Sequence, residues 1–251
     1  MPRAKVDGSE VYCSMNGSGR SILFVHGSGC DHSLWEFQTQ DLQKNFSVAA
    51  IDLNGHGLSA QREGDAMETY VDDVLAVIET LNEPVFLVGH SLGSAIVQTV
   101  ALKKPKNLAG LGLIGAGAKL RVHPQILEMI DSDFPKAVEL ILNWSFLQPA
   151  KPELMQRARE QMLRNGQAVL GRDLRACDGF NMMDRLSEIA VPTLIVCGRH
   201  DQLTPVKYSE YLKSQLARSE LQIIESVGHR VMEEKPTEFN RVLCNFAQSV
   251  S

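Results

Sequence analysis

The stretch "VFLVGHSLGSA", residues 85–95, sets four apolar residues against a turn and then resumes a helical pattern, with glycine at 89 and 93 and serine at 91. A near-continuous apolar run of this length reads as a strand buried on both faces of a parallel sheet. Gly89-x-Ser91-x-Gly93 is the spacing of a sharp strand-to-helix turn. Side chains two positions before and after its central residue would strike neighbouring backbone, and glycine removes the Cβ that would do so. Such a turn holds the Ser91 hydroxyl in the open. It also puts the N–H of Leu92 at the start of a helix, where no intrahelical acceptor exists. G-x-S-x-G alone arises by chance roughly one time in ten in a chain like this. The strand before it and the helix after it give it weight.

The same alternation extends in both directions. "ILFVH" (22–26), "SVAAID" (47–52), "LAGLGLI" (108–114), "TLIVCG" (193–198) and "LQIIE" (221–225) read as further strands. Helical spacing appears over 67–81, 91–104, 205–216 and 236–246. Strand–helix alternation predicts an α/β fold, a mostly parallel central sheet flanked by helices. At the amino end, "AKV" and "EVYCS" separated by "DGS" predict an antiparallel hairpin.

From 119 to 185 the rhythm breaks. Only helical pieces occur there, over 124–131, 135–146, 152–164 and 166–176. Five of the nine methionines fall in this stretch, with Phe134, Trp144 and Phe146. The expected organisation is a core domain of 1–118 and 186–251, with 119–185 as a helical cap. Most of the cap's apolar residues must form its own core, but methionine-rich surfaces also adapt to varied apolar ligands. Met129, Trp144 and Met162 are therefore candidate pocket residues, together with Trp35 from the core.

Composition narrows the function classes. The chain has 251 residues, is 44% apolar and carries a net charge of −5. No basic block offers the phosphate contacts that nucleic-acid binding requires, so no nucleic acid is expected. The apolar run 108–118 contains four glycines and is too short to span a bilayer, so no membrane association is expected. The charged amino terminus lacks the apolar stretch of a secretory signal. Cysteines 13, 30, 177, 197 and 244 are odd in number and form no C-x-x-C. These features predict reduced thiols in a cytoplasmic protein, with no metal and no cofactor.

A serine hydroxyl becomes a nucleophile only with a base and a group that orients it. His229, in "SVGHRVMEEKP", follows the last predicted strand, and Asp201, in "VCGRHDQLTP", follows the strand before. Both loops lie at the carboxyl edge of the sheet, where Ser91 emerges and where open α/β sheets bind ligands. "VHGSG" (25–29) ends an early strand in a glycine turn. The backbone N–H of Ser28 is the candidate second oxyanion donor beside that of Leu92.

Across its whole length the chain resembles the α/β-hydrolase superfamily, in its capped esterase- and lactonase-like branch. The segments that carry the resemblance are "FVHGSGCDHSLW" (24–35), "IDLNGHGLS" (51–59), "VGHSLGSA" (88–95), "VPTLIVCGRHDQLTP" (191–205) and "VGHRVMEEKPTEF" (227–239), in that order. The resemblance implies Ser91 as nucleophile, Asp201 as acid and His229 as base. Some relatives place the acid before the cap; here that loop reads Gly115-Ala116-Gly117 and offers no carboxylate. Haloalkane dehalogenases and epoxide hydrolases of this fold carry aspartate where Ser91 stands, and epoxide hydrolases use cap tyrosines, which 119–185 lacks. Arg230 stands where related carbon–carbon bond hydrolases carry Trp.

Two functions follow as expectations. One is a serine hydrolase cleaving a small ester, thioester or lactone with an apolar portion, with water as second substrate. The other is a hydrolase-fold receptor that keeps the triad but signals through a partner. Arg121, Arg157, Arg159, Arg164, Arg172 and Arg175 are open candidates for a substrate carboxylate. The oligomeric state stays open.

Overall fold

In a computed structural model, which describes residues 4–81 and 83–250, nine strands and ten α-helices follow the expected alternation. Strands β1 (Ala4–Val6) and β2 (Ser9–Val11) form a hairpin. The central sheet is built from β3 (Cys13–Gly17), β4 (Ser21–Val25), β5 (Ser47–Ile51), β6 (Val85–His90), β7 (Leu108–Ile114), β8 (Thr193–Gly198) and β9 (Ser219–Ile224). Their order is β3-β5-β4-β6-β7-β8-β9, with β3 antiparallel to β5 and every other pairing parallel.

The expected hairpin is corrected in one respect. "EVYCS" does not continue as one strand; it splits at Tyr12, and Cys13–Gly17 pairs with β5 in the central sheet. The turn itself is Asp7-Gly8, both at positive φ, the conformation that matches hairpin twist. Period-2 reading cannot see that a strand changes sheets, because both halves keep one face inward.

Alternate residues of each parallel strand serve two cores. Leu23, Val25, Leu87, Leu113 and Ile195 pack with helices α2 (Ala66–Thr80) and α3 (Leu92–Leu102). Ile22, Phe24, Phe86, Val88 and Val196 belong to the opposite core, with the terminal helix α10 (Pro236–Ser249). Sheet faces buried on both sides explain why these strands read as unbroken apolar runs. Helices α1 (Glu36–Leu42), α8 (Val206–Gln215) and the short α9 (Val231–Glu234) complete the two layers.

Between β7 and β8 the chain makes α4 (Pro124–Ser132), α5 (Phe134–Ser145), α6 (Pro152–Asn165) and α7 (Gln167–Gly179). Ile126, Ile130, Val138, Leu142, Leu154, Ala158 and Leu170 form a third core of their own. At its carboxyl end the segment merges with the sheet: Cys177, Phe180 and Met182 are part of the α2–α3 core. All five cysteines are free thiols. Among the described residues, no helix is long and apolar enough to cross a membrane.

Candidate active site

Ser91 sits between β6 and α3 at φ 53°, ψ −114°. A non-glycine residue at positive φ costs about 1–3 kcal/mol and persists only where its surroundings hold it. Here the Ser91 N–H donates to the Ile114 carbonyl at 2.9 Å. The Ser91 carbonyl accepts from the Ser94 N–H at 2.9 Å and the Ser94 Oγ at 2.6 Å. A Cβ at Gly89 would lie 2.2 Å from the Gly93 oxygen, and one at Gly93 would lie 2.4 Å from the Val25 oxygen. Both glycines are sterically obligatory.

His229 is on the loop between β9 and α9. Its backbone N–H donates to the Ser145 carbonyl at the end of α5 (2.8 Å), and its carbonyl accepts from His90 Nε2 (3.2 Å). Its Nδ1 lies 2.8 Å from Asp201 Oδ2. That contact assigns the proton to Nδ1 and leaves Nε2 with its lone pair. Nε2 is buried and has no hydrogen-bond partner among the described residues.

Asp201, on the loop after β8, is only 5% exposed. Its Oδ1 accepts from the Leu203 and Thr204 N–H groups at 2.9 and 2.8 Å, and its Oδ2 accepts from Thr204 Oγ1 at 2.7 Å as well as from His229. These four contacts satisfy the oxygens of a buried side chain. Thr204, which sequence reasoning missed, also lies 3.1 Å from His229 Nδ1. Its signal was the Asp-x-x-Thr spacing of 201–204, a turn in which the aspartate caps two following N–H groups.

Ser91 and His229 line one cavity of about 660 Å³, with Gly27 and Ser28 on the wall from β4. The Ser28 N–H has no acceptor among the described residues. Leu92 itself is fully buried, and its N–H is the first of α3. Trp144 and Met162 line this cavity, joined by Ile126, Ile141 and Leu174.

Trp35 and Met129 do not. Trp35 is fully buried beneath the sheet, stacked on Phe24 at 4.5 Å between centroids. Asp31 caps the turn of 32–35 through the Ser33 N–H (2.9 Å), and that turn folds Trp35 inward. Met129 packs among the helices of the 119–185 segment. Helical spacing gives the apolar side of a helix but not which neighbour that side meets.

Of the six arginines considered for a substrate carboxylate, only Arg121 lines the cavity. Arg157, Arg159, Arg164 and Arg175 pair with Glu36, Glu139, Asp31 and Asp131. Arg172 donates to Tyr70 Oη and to the Asn54 carbonyl. Arg230 is also at the cavity wall, fully buried, with its Nη2 on Cys30 Sγ (3.0 Å) and its Nη1 3.1 Å from Glu233.

His90 is buried at the same wall. Burial first, then the neighbouring His229 and Arg230, hold its pKa well below the usual histidine value. It is a neutral spacer against His229, with ring centroids 4.6 Å apart. Burial likewise raises the Cys30 and Cys177 thiols to about 12, so neither wall thiol is ionised at neutral pH. Asp31, His32 and Asp52 approach one another closely enough to hold a metal ion. Their atoms are already committed: Asp31 to Gln161 and Arg164, and His32 to Asp52.

A family model described as serine aminopeptidase, S33, matches residues 18–236. The chain belongs to the α/β-hydrolase superfamily. This hydrolase is 31% identical over 258 residues to the AB hydrolase superfamily protein YisY of Bacillus subtilis (strain 168), covering 93% of each chain. A solved thermophilic esterase is 35% identical with a TM-score of 0.91, covering 100% of this chain and 98% of its own. A protein described as an N-acyl homoserine lactone degrading enzyme is 27% identical with a TM-score of 0.88, covering 98% of this chain and 100% of its own.

Proposed function

We propose that the hydrolase cleaves a small carboxylic ester, thioester or lactone with an apolar portion, through an acyl-enzyme on Ser91. The observation that carries this reading is a buried histidine nitrogen without a partner among the described residues. Nε2 of His229, oriented by Asp201, shares a cavity with a serine held in a strained turn.

The chemistry follows from the parts. His229 Nε2 takes the Ser91 proton as Oγ bonds to the acyl carbon, and Asp201 stabilises the imidazolium. The N–H groups of Ser28 and Leu92 hold the oxyanion. Collapse breaks the acyl–oxygen or acyl–sulfur bond, and the leaving group departs with the proton from Nε2. Water, deprotonated by the same nitrogen, then releases the acid and restores Ser91. The serine–histidine contact in such sites often tightens only with substrate in place. The segment 119–185 acts as the cap, supplying the apolar wall of Ile126, Ile141, Trp144, Met162 and Leu174. Similarity to proteins described as an esterase and a lactone-degrading enzyme supports the substrate class.

Steady-state hydrolysis of p-nitrophenyl esters from acetate to decanoate, with a simple lactone alongside, tests this. Ser91→Ala should lower turnover by about 10⁴- to 10⁶-fold, and the chain-length optimum should reflect the cavity. A Ser91→Ala protein within about tenfold of wild type overturns the reading.

A further inference from the structure

The turn that carries Ser28 is gripped by a carboxylate from the 119–185 segment. Asp173 on α7 is fully buried, and its Oδ2 accepts from the Gly29 N–H at 2.8 Å and from His56 Nε2 at 2.9 Å. Its Oδ1 accepts from Tyr70 Oη at 2.5 Å, and Arg172 Nε donates to that phenol oxygen at 2.8 Å. Burial alone would raise the Asp173 pKa. His56, Tyr70 and the Gly29 N–H together hold it below the usual carboxylate value. None of this network touches Ser91, Asp201 or His229.

Its effect is on peptide orientation. The peptide bearing the Ser28 N–H also bears the Gly27 carbonyl, whose oxygen accepts from the Cys30 N–H at 3.2 Å and lies 2.9 Å from His26 Nδ1. In a trans peptide N–H and C=O point in opposite directions. Anchoring the Gly27 oxygen on buried His26 therefore turns the Ser28 N–H the other way, toward the cavity that Gly27 and Ser28 line. The next peptide, Ser28–Gly29, is held through its N–H by Asp173. Two consecutive peptide planes are thus pinned, which fixes both backbone torsions at Ser28. Contact is close on the Cα side as well: Gly29 is at φ +66°, and a Cβ there would lie 2.9 Å from Leu170 of α7.

We infer that Asp173 is a positioning residue for the reaction: by holding the Gly29 N–H, it aims the Ser28 N–H at the oxyanion of the tetrahedral intermediate. The inference rests on the roles proposed for Ser91 and Ser28. A carboxylate makes a stronger bond to this N–H than a neutral oxygen would. Replacing it should therefore harm transition-state stabilisation more than substrate binding.

The test compares Asp173→Ala, Asp173→Asn and Tyr70→Phe with wild type and Ser91→Ala, well below each unfolding midpoint. Asp173→Ala should lose about 10- to 100-fold in kcat with KM within about threefold. Affinity for an aryl boronic acid, which forms a tetrahedral adduct on serine, should fall in step with kcat. Asp173→Asn should fall between Ala and wild type. Tyr70→Phe, which leaves the Gly29 acceptor in place, should lower the unfolding midpoint while keeping kcat within about threefold. If Asp173→Ala does not fold, Asp173→Asn is read against Tyr70→Phe, and a several-fold lower kcat in Asn alone supports the inference. Wild-type kcat in the folded Asp173 variant overturns it, as does an equal loss in Tyr70→Phe. If Ser91→Ala abolishes turnover while folded Asp173→Ala keeps wild-type kcat, only this inference falls. If Ser91→Ala retains turnover, the reading beneath it falls as well.

Discussion

Ser91 is held at positive φ by its neighbours, so the glycines around it are where single atoms matter most. Gly93→Ala would put a methyl 2.4 Å from the Val25 oxygen and 2.6 Å from the His26 oxygen. Neither backbone can retreat without breaking the β4–β6 register that runs from Ser21 to Val25. We expect a loss of about 2 kcal/mol or more, read from denaturant midpoints, together with lost ester turnover. Wild-type stability in Gly93→Ala would show that the turn relaxes. Thr204 gives a different outcome. Thr204→Val removes the hydroxyl donor to Asp201 but leaves two N–H donors and His229 in place. The expected cost is about 1.5–3 kcal/mol of stability, with Thr204→Ser recovering most of it. Equal midpoints for Val and Ser would sink that assignment. Ser91 was readable in the sequence because its glycine spacing lies within five residues. Thr204 was half readable, since the turn is local but the contact with His229 is not.

Among the elements, the 119–185 segment docks unequally at its two ends. The α6–α7 end grips the core: Asn165 Nδ2 donates to the Gly29 and Cys30 carbonyls at 3.0 Å each, while Gln161 and Arg164 bond Asp31. At α5 the links to the core are the His229 and Arg230 N–H groups on the Ser145 carbonyl, and Glu234 reaching the Leu147 N–H. The segment therefore braces the 27–31 loop directly. Asn165→Ala should accelerate amide exchange over residues 29–33, and should lower stability by about 1–3 kcal/mol by leaving two carbonyls unpaired. Unchanged exchange there would mean that Asp31 and Asp173 suffice to hold the loop. None of these contacts was visible in the helical spacing of 152–176. Spacing shows which side of a helix is apolar; the polar residues that dock it follow no period.

Acid sensitivity belongs to the whole molecule. His26 is fully buried, and burial first, then His56, lowers its pKa to about 4; His90 is lowered as well. The unfolded chain binds protons at these sites from about pH 6.5 downward, whereas the folded chain does not. The contribution of His26 is thus complete above about pH 6.5 and is lost as pH falls toward 4, and that of His90 is likewise lost on the acid side. His32 has the opposite sign. Its bond to Asp52 raises its pKa, so it stabilises below the unfolded value and ceases to as pH rises through the folded one. Denaturant midpoints of wild type and His26→Gln between pH 4 and 7 isolate the first effect. Wild type should lead at pH 7, and its lead should shrink toward pH 4. A constant difference would mean that His26 is not buried neutral.

The sequence by itself determined the sheet, the turn at Ser91 and the loops bearing Asp201 and His229. Those depend on local pattern: apolar runs, glycine spacing, and the rule that parallel strands bring their carboxyl ends to one edge. Tertiary structure alone decided that Trp35 faces the core rather than the cavity, and that Cys13–Gly17 leaves the hairpin for the central sheet. It also decided that Asp173, 144 positions from Gly29, closes on the turn that carries Ser28. The physical reason is the same in each case. A side chain's periodicity reports whether it is buried, but the identity of what it is buried against is set only when distant segments pack.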